Sequence, residues 1–169
     1  MRRRMIGLAL ALVIASAYQI GHAAGDPNSD TAAAFARLKT LVGEWKTDDG
    51  KESLTYELAA GGTTLLEREA GAGRPTMLTL YHRDGNRLLL THYCMAGNQP
   101  RMQAQPFDTG ANELAFEFLD ATNLSSAAAG HMHNTTIRFV DANHIETVWQ
   151  FYENGKATMT ERARYTRVH

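Results

Sequence analysis

The sequence predicts an all-β fold: an antiparallel up-and-down β-barrel of about nine or ten strands, with a short N-terminal helix covering one end. Three observations carry that expectation. From Trp45 onward the chain reads as short apolar-alternating segments with turn signals about every 8–12 residues. Asp84-Gly85 and Asn154-Gly155 each join two such segments, and these dipeptides suit two-residue hairpins because both central positions take positive φ. Only one stretch has helical spacing, with Phe35, Leu38, Leu41 and Val42 on one face. A long meander of hairpins protects its edges by closing on itself.

The elements follow in order. Residues 1–23 read as a secretory signal peptide: three arginines, an apolar run from Met5 to Ala17, and the small-residue site Gly21-His22-Ala23. That run is shorter than the roughly 20 residues a membrane span needs, so the expected product is a periplasmic or secreted protein with no membrane span in the mature chain. The mature chain, residues 24–169, has the size of one domain. Losing Arg2, Arg3 and Arg4 takes 17 basic residues to 14 against 18 acidic, a net charge of −4, and no basic block suggests a nucleic-acid partner. Ser29 or Asp30 caps the helix and Gly43 ends it. Glu52–Leu58 and Thr63–Glu69 then flank Ala60-Gly61-Gly62 as a hairpin. Met77 to Cys94 forms the next, with Tyr81 opposite Leu88, Thr79 opposite Leu90 and Met77 opposite His92 if Asp84-Gly85 is the turn. Met102–Phe107 pairs with Glu113–Leu119, and residues 120–130 form a loop. His131–Val140 pairs with Ile145–Tyr152, and the last strand runs from Ala157 to about Arg167.

A helix leading into Gly43-Glu44-Trp45, followed only by hairpins, resembles the calycin superfamily of lipocalins, fatty-acid-binding proteins and nitrobindin-like barrels. The resemblance implies that Trp45 closes the barrel floor beneath a basic residue of the last strand, with Arg162, Arg164 and Arg167 as candidates. The strings HYCMAGNQPR and VDANHIETVWQFYENGK resemble a group of bacterial exported proteins without an assigned activity. The haem-binding histidine of nitrobindin-like proteins has no counterpart here, since the only late histidine is His169, so haem binding is not carried over.

The candidate site residues come from the strands. On the Met77–Cys94 hairpin one face carries Met77, Thr79, Tyr81, Leu88, Leu90, His92 and Cys94, and this face is expected to be interior because His82 and Arg87 share the other. His92 and Cys94 have the spacing of two metal ligands, or of a thiolate and its base. His131 and His133 repeat that spacing, and their alternation continues into Thr135, Ile137 and Phe139. Arg101 follows the hairpin and suits a carboxylate or phosphate. Trp149 and Phe151 share a face with Thr147 and, across the turn, with Thr158, Thr160 and Arg162.

The function expected first is binding of a small, partly apolar ligand in a cavity lined by Tyr81, Leu90, His92, Trp149 and Phe151, with Arg101, His131 and His133 at one mouth. The alternatives are a hydrolase- or isomerase-type enzyme using Cys94 or His92, a metal-binding barrel built on His92, Cys94, His131 and His133, and a structural module with a filled core. An open cavity with an inert thiol favours ligand binding; a filled lumen favours the last.

Overall fold

The computed structural model describes residues 27–108, 110 and 112–169; the signal peptide expected over residues 1–23 lies outside them. Helix α1 spans Pro27–Lys39. Ten strands follow: β1 Gly43–Thr47, β2 Glu52–Ala59, β3 Thr64–Gly71, β4 Met77–Asp84, β5 Arg87–Tyr93, β6 Gln99–Ala104, β7 Glu113–Thr122, β8 His131–Phe139, β9 His144–Glu153 and β10 Lys156–Arg167. Each pairs antiparallel with its neighbours in sequence, and β1 pairs with β10, so the sheet closes as a barrel. The fold class expected from sequence is the one observed.

The helix-covered end is built around Trp45. Its indole N–H donates to the Leu41 carbonyl at 2.7 Å, and the Arg167 guanidinium stacks 4.1 Å above the ring. Arg167 also donates to the carbonyls of Thr40 and Val42, at 2.7 and 2.8 Å, so it supplies the partners that the chain leaving a helix otherwise lacks. Gly43 begins β1 with φ +126°, and a Cβ there would lie 3.1 Å from the same guanidinium. Ala34, Phe35, Leu38 and Leu41 are buried against the barrel; Val42 is exposed, because the helix stops at Lys39 and the turn carries Val42 off the apolar stripe.

Three details differ from the sequence reading, and each is a matter of register. The Met77–Cys94 hairpin turns at Gly85-Asn86, so Asp84 faces Arg87, Tyr81 faces Leu90 and Thr79 faces His92. A slip of two preserves the faces, and the inward set is unchanged. In β10 a shift between Ala157 and Met159 reverses the alternation, so Glu161 rather than Thr160 or Arg162 lies opposite Trp149. In β8 a shift between Met132 and Asn134 does the same: Met132 joins the hydrophobic core, His131 is buried beside it and His133 is half-buried.

The lumen is filled by side chains. Tyr81 meets Phe116 across it with ring centroids 5.7 Å apart, and His92 meets Trp149 at 4.8 Å. About 10 Å³ of space remains beside Glu67, Glu69 and Trp149, room for about one water. Of Tyr81, Leu90, His92, Trp149 and Phe151, the lining expected from sequence, Trp149 borders this space. Among the described residues no helix is long and apolar enough to cross a membrane.

Candidate functional site

Among the described residues two places stand out: a polar belt inside the barrel and a cleft between α1 and the Gln103–Phe107 segment. The belt arises because inward positions on four consecutive strands are polar. Tyr56, Glu67, Thr79 and His92 are successive cross-strand partners on β2, β3, β4 and β5, and all are buried. The Tyr81 hydroxyl donates to Glu67 at 2.8 Å. Burial pushes the Glu67 carboxyl up, and the hydroxyls of Tyr81, Tyr56 and Thr79 oppose that shift; of the three only Tyr81 makes a bond of good geometry, and the Tyr56 hydroxyl is left without a partner. His92 Nδ1 lies 3.0 Å from the Thr79 hydroxyl, while its buried Nε2 has no partner. Burial lowers His92 to about 4, so the ring is neutral at physiological pH.

Above the belt, toward the end away from α1, Glu69 is raised to about 7, first by burial and next by the nearby Glu67. Arg74, on the β3–β4 loop, opposes this: its guanidinium reaches Glu52 and Glu69 at 2.9 Å and Glu161 at 3.3 Å. Cys94 is buried near the same end, and burial pushes its thiol up, which makes it a poor nucleophile at neutral pH. The loop over this mouth is tied down by Asn98, which donates to the Gly130 carbonyl at 2.8 Å. Gly130 packs on Phe151 so closely that a Cβ would sit 2.5 Å from the ring.

The remaining sequence candidates divide. Tyr81, Leu90, His92 and Trp149 are brought together inside the barrel, with Phe151 half-buried at its rim. Arg101 is not with them: it lies on the outer face, paired with Asp120. His131 and His133 form their own cluster, in which His133 stacks between Phe118 and Tyr152 at 4.7 and 4.1 Å. His131 Nδ1 bonds the Ala129 carbonyl at 2.8 Å and its Nε2 bonds His133 Nδ1 at 3.0 Å. In the neutral pair the first nitrogen must donate and the second accept, which leaves His133 Nε2 as the free lone pair. Among the described residues no three His, Cys, Asp or Glu side chains group as a metal site requires.

The sequence reading missed Glu67, Glu69 and Glu161. Leu65-x-Glu67-x-Glu69 does alternate, but the opposite face also carries a charge, Arg68, so polarity alone could not assign the interior. The cleft was missed as well. It measures about 330 Å³, with Ala34, Leu88, Ala104 and Phe107 as its apolar wall and Asn86 and Gln105 among its polar groups. The helix and two loops distant in sequence meet there.

No protein-family model matches the chain, and no curated protein matches it in sequence. Solved structures do match in fold. Rv2717c from M. tuberculosis aligns with a TM-score of 0.53 at 14% identity, covering 80% of this chain and 98% of that one. A protein of unknown function from the DUF3598 family, from Nostoc punctiforme, aligns with a TM-score of 0.52 at 14% identity over 78% of this chain. The chain spans 49% of that protein's length. At such identity the likeness concerns the barrel and nothing finer.

Proposed function

We propose that this is an exported, calycin-like barrel that binds a small, partly apolar molecule in the cleft beneath α1. The observation that carries the reading is the lining: a cleft of about 330 Å³, where small-ligand sites run from roughly 300 to 1,000 Å³, walled by Ala34, Leu88, Ala104 and Phe107 with a few polar groups beside them. Its apolar wall favours a hydrocarbon or ring, and the side-chain amides of Asn86, Gln103 and Gln105 supply a few oriented hydrogen bonds. None of the described residues lining it is basic, and Asp30 is acidic, so a neutral ligand fits better than an anion. The calycin reading is supported by the Arg167–Trp45 stack beneath the helix. Export is supported by the basic, apolar and small-residue order of residues 1–23.

The test uses N-phenyl-1-naphthylamine, a neutral apolar fluorophore with one N–H. Wild type should bind it saturably. Gln105→Trp, which fills the cleft from an exposed position, should weaken binding about ten-fold or more, a loss of about 1.4 kcal/mol. Equal affinity in both proteins would place the ligand elsewhere.

A further inference from the structure

The cleft of the proposed function is bordered by the first half of α1, through Asp30, Thr31 and Ala34. A second cavity, of about 260 Å³, lies at the other end of the same helix and differs from it in character. Its floor is apolar: Leu41, Trp45, Phe139 and Ile145 line it, and all four are buried. They meet because Phe139, at the end of β8, pairs across the turn with Ile145 near the start of β9. The last turn of α1 then carries Arg37 over the Phe139 ring.

Three charged side chains border this cavity: Arg37, Asp141 and Arg167. Two of them are engaged. Arg167 stacks on Trp45 and donates to the carbonyls of Ala142, Val42 and Thr40 at 3.2, 2.8 and 2.7 Å. Asp141 accepts from the Asn143 backbone N–H at 2.7 Å and lies 2.8 Å from His144 Nδ1; the backbone bond first, and the imidazole next, hold its carboxyl below the usual range. Arg37 is different. Its guanidinium lies 4.3 Å above the Phe139 ring and, among the described residues, makes no hydrogen bond or ion pair. The ring takes the face of the guanidinium and leaves its N–H edge for an acceptor.

A guanidinium on an open helix surface loses much side-chain freedom when it grips a ligand. Arg37 is half-buried and already stacked, so less is lost here and its fork is held ready. Two guanidiniums against one carboxylate leave the lining net positive, which favours an anion. Only one fork is free, and it matches the two oxygens of a planar, singly charged carboxylate. A phosphate dianion would ask for more positive charge than Arg37 supplies alone. The buried floor favours an apolar body on that acid. The volume lies just under the roughly 300 Å³ at which drug-sized sites begin, so the body is about one ring or a short hydrocarbon chain.

We propose that this cavity is a second binding site, for a small monocarboxylic acid with an apolar body. Arg37 grips the carboxylate by its N–H edge, and the body rests on Leu41, Phe139 and Ile145. The site is independent of the cleft, which suits a neutral molecule and has no basic residue in its described lining.

Benzoate is the probe, and benzamide is its neutral counterpart of nearly the same shape. The chain has two tryptophans, of which Trp45 lines the cavity while Trp149 borders the lumen, so their indole N–H signals in NMR separate the two places. Benzoate should displace the Trp45 signal saturably and leave that of Trp149 in place. Benzamide should bind about ten-fold more weakly or worse, and Arg37→Gln should weaken benzoate to the same degree. Retention of both indole signals in the variant reports that the barrel is intact. Ala142→Phe, which fills the cavity from an exposed turn position, should also weaken benzoate about ten-fold or more. No saturable response in wild type, equal affinity for benzamide, or wild-type affinity in either variant overturns the site.

Discussion

The two ends of the barrel are built on opposite terms. At the helix-covered end the polar groups that hold Trp45 are partnered: its N–H is bonded, and Arg167 spreads its donors over the carbonyls of Thr40, Val42 and Ala142. At the other end and in the belt below it, acids are buried near one another, a histidine is held neutral, and polar atoms go unpaired. The first arrangement maximises stability. The second sacrifices some, and proteins retain such groups mainly where they act on something. The contrast teaches where to look for function in a barrel whose lumen looks full.

The contrast breaks most readily at Trp45. Trp45→Ala should cost about 3–5 kcal/mol in denaturant-induced unfolding, because it removes the plug, its hydrogen bond and the Arg167 stack together. A loss under about 1 kcal/mol would show that this end is not the stabilising one.

The acidic end should reveal itself through pH. Glu69 has its pKa raised from 4.5 to about 7, so the native state binds more protons, and its stabilising effect is complete below 4.5 and lost as pH rises through 7. His92 is lowered from 6.5 to about 4, so its contribution is complete above 6.5 and lost as pH falls through 4. Each amounts to about 3 kcal/mol, and between roughly pH 4.5 and 6.5 the two slopes oppose, with the raised Glu67 acting in the same sense as Glu69. Glu69→Gln removes one downward slope, so stability should rise more, or fall less, with pH across that window than in wild type. Unfolding free energies measured at several pH values decide it, and equal pH slopes in the two proteins refute the assignment.

Arg74→Met leaves three carboxylates facing one another at the partly exposed mouth, at a cost of about 2 kcal/mol at neutral pH. The loss should shrink in acid, where Glu69 is neutral, and a loss independent of pH would mean that Arg74 acts only by packing. The smallest effect belongs to Arg101→Ala. That guanidinium sits on the outer face in an exposed pair with Asp120, and the change in stability should stay within about 0.5 kcal/mol. A larger loss would draw the outer wall into the account.

How far the sequence carried the reading can be seen residue by residue. Alternation and the Asp-Gly and Asn-Gly turns are local signals, and they determined the strand order, the closed meander and the inward face of the Met77–Cys94 hairpin, which survived a two-residue slip because side chains repeat every second position. Gly43-Glu44-Trp45 likewise marked the floor of the barrel, where Arg167 supplies the base. Local patterns could not foresee the irregularities in β8 and β10, because an extra residue leaves the polarity pattern intact while reversing which side chains face inward; Met132 and Glu161 were decided by pairing with neighbours. Nor could they foresee the belt or the cleft. Whether Glu67 meets Tyr81, whether His92 ends unpaired against Trp149, and whether α1 stands off the Gln103–Phe107 segment far enough to leave a cavity depend on closure, which brings together residues dozens of positions apart. The sequence by itself determined the strands and their faces, since these follow from backbone geometry and side-chain period; the tertiary structure alone decided how full the lumen is and which of its polar groups have no partner.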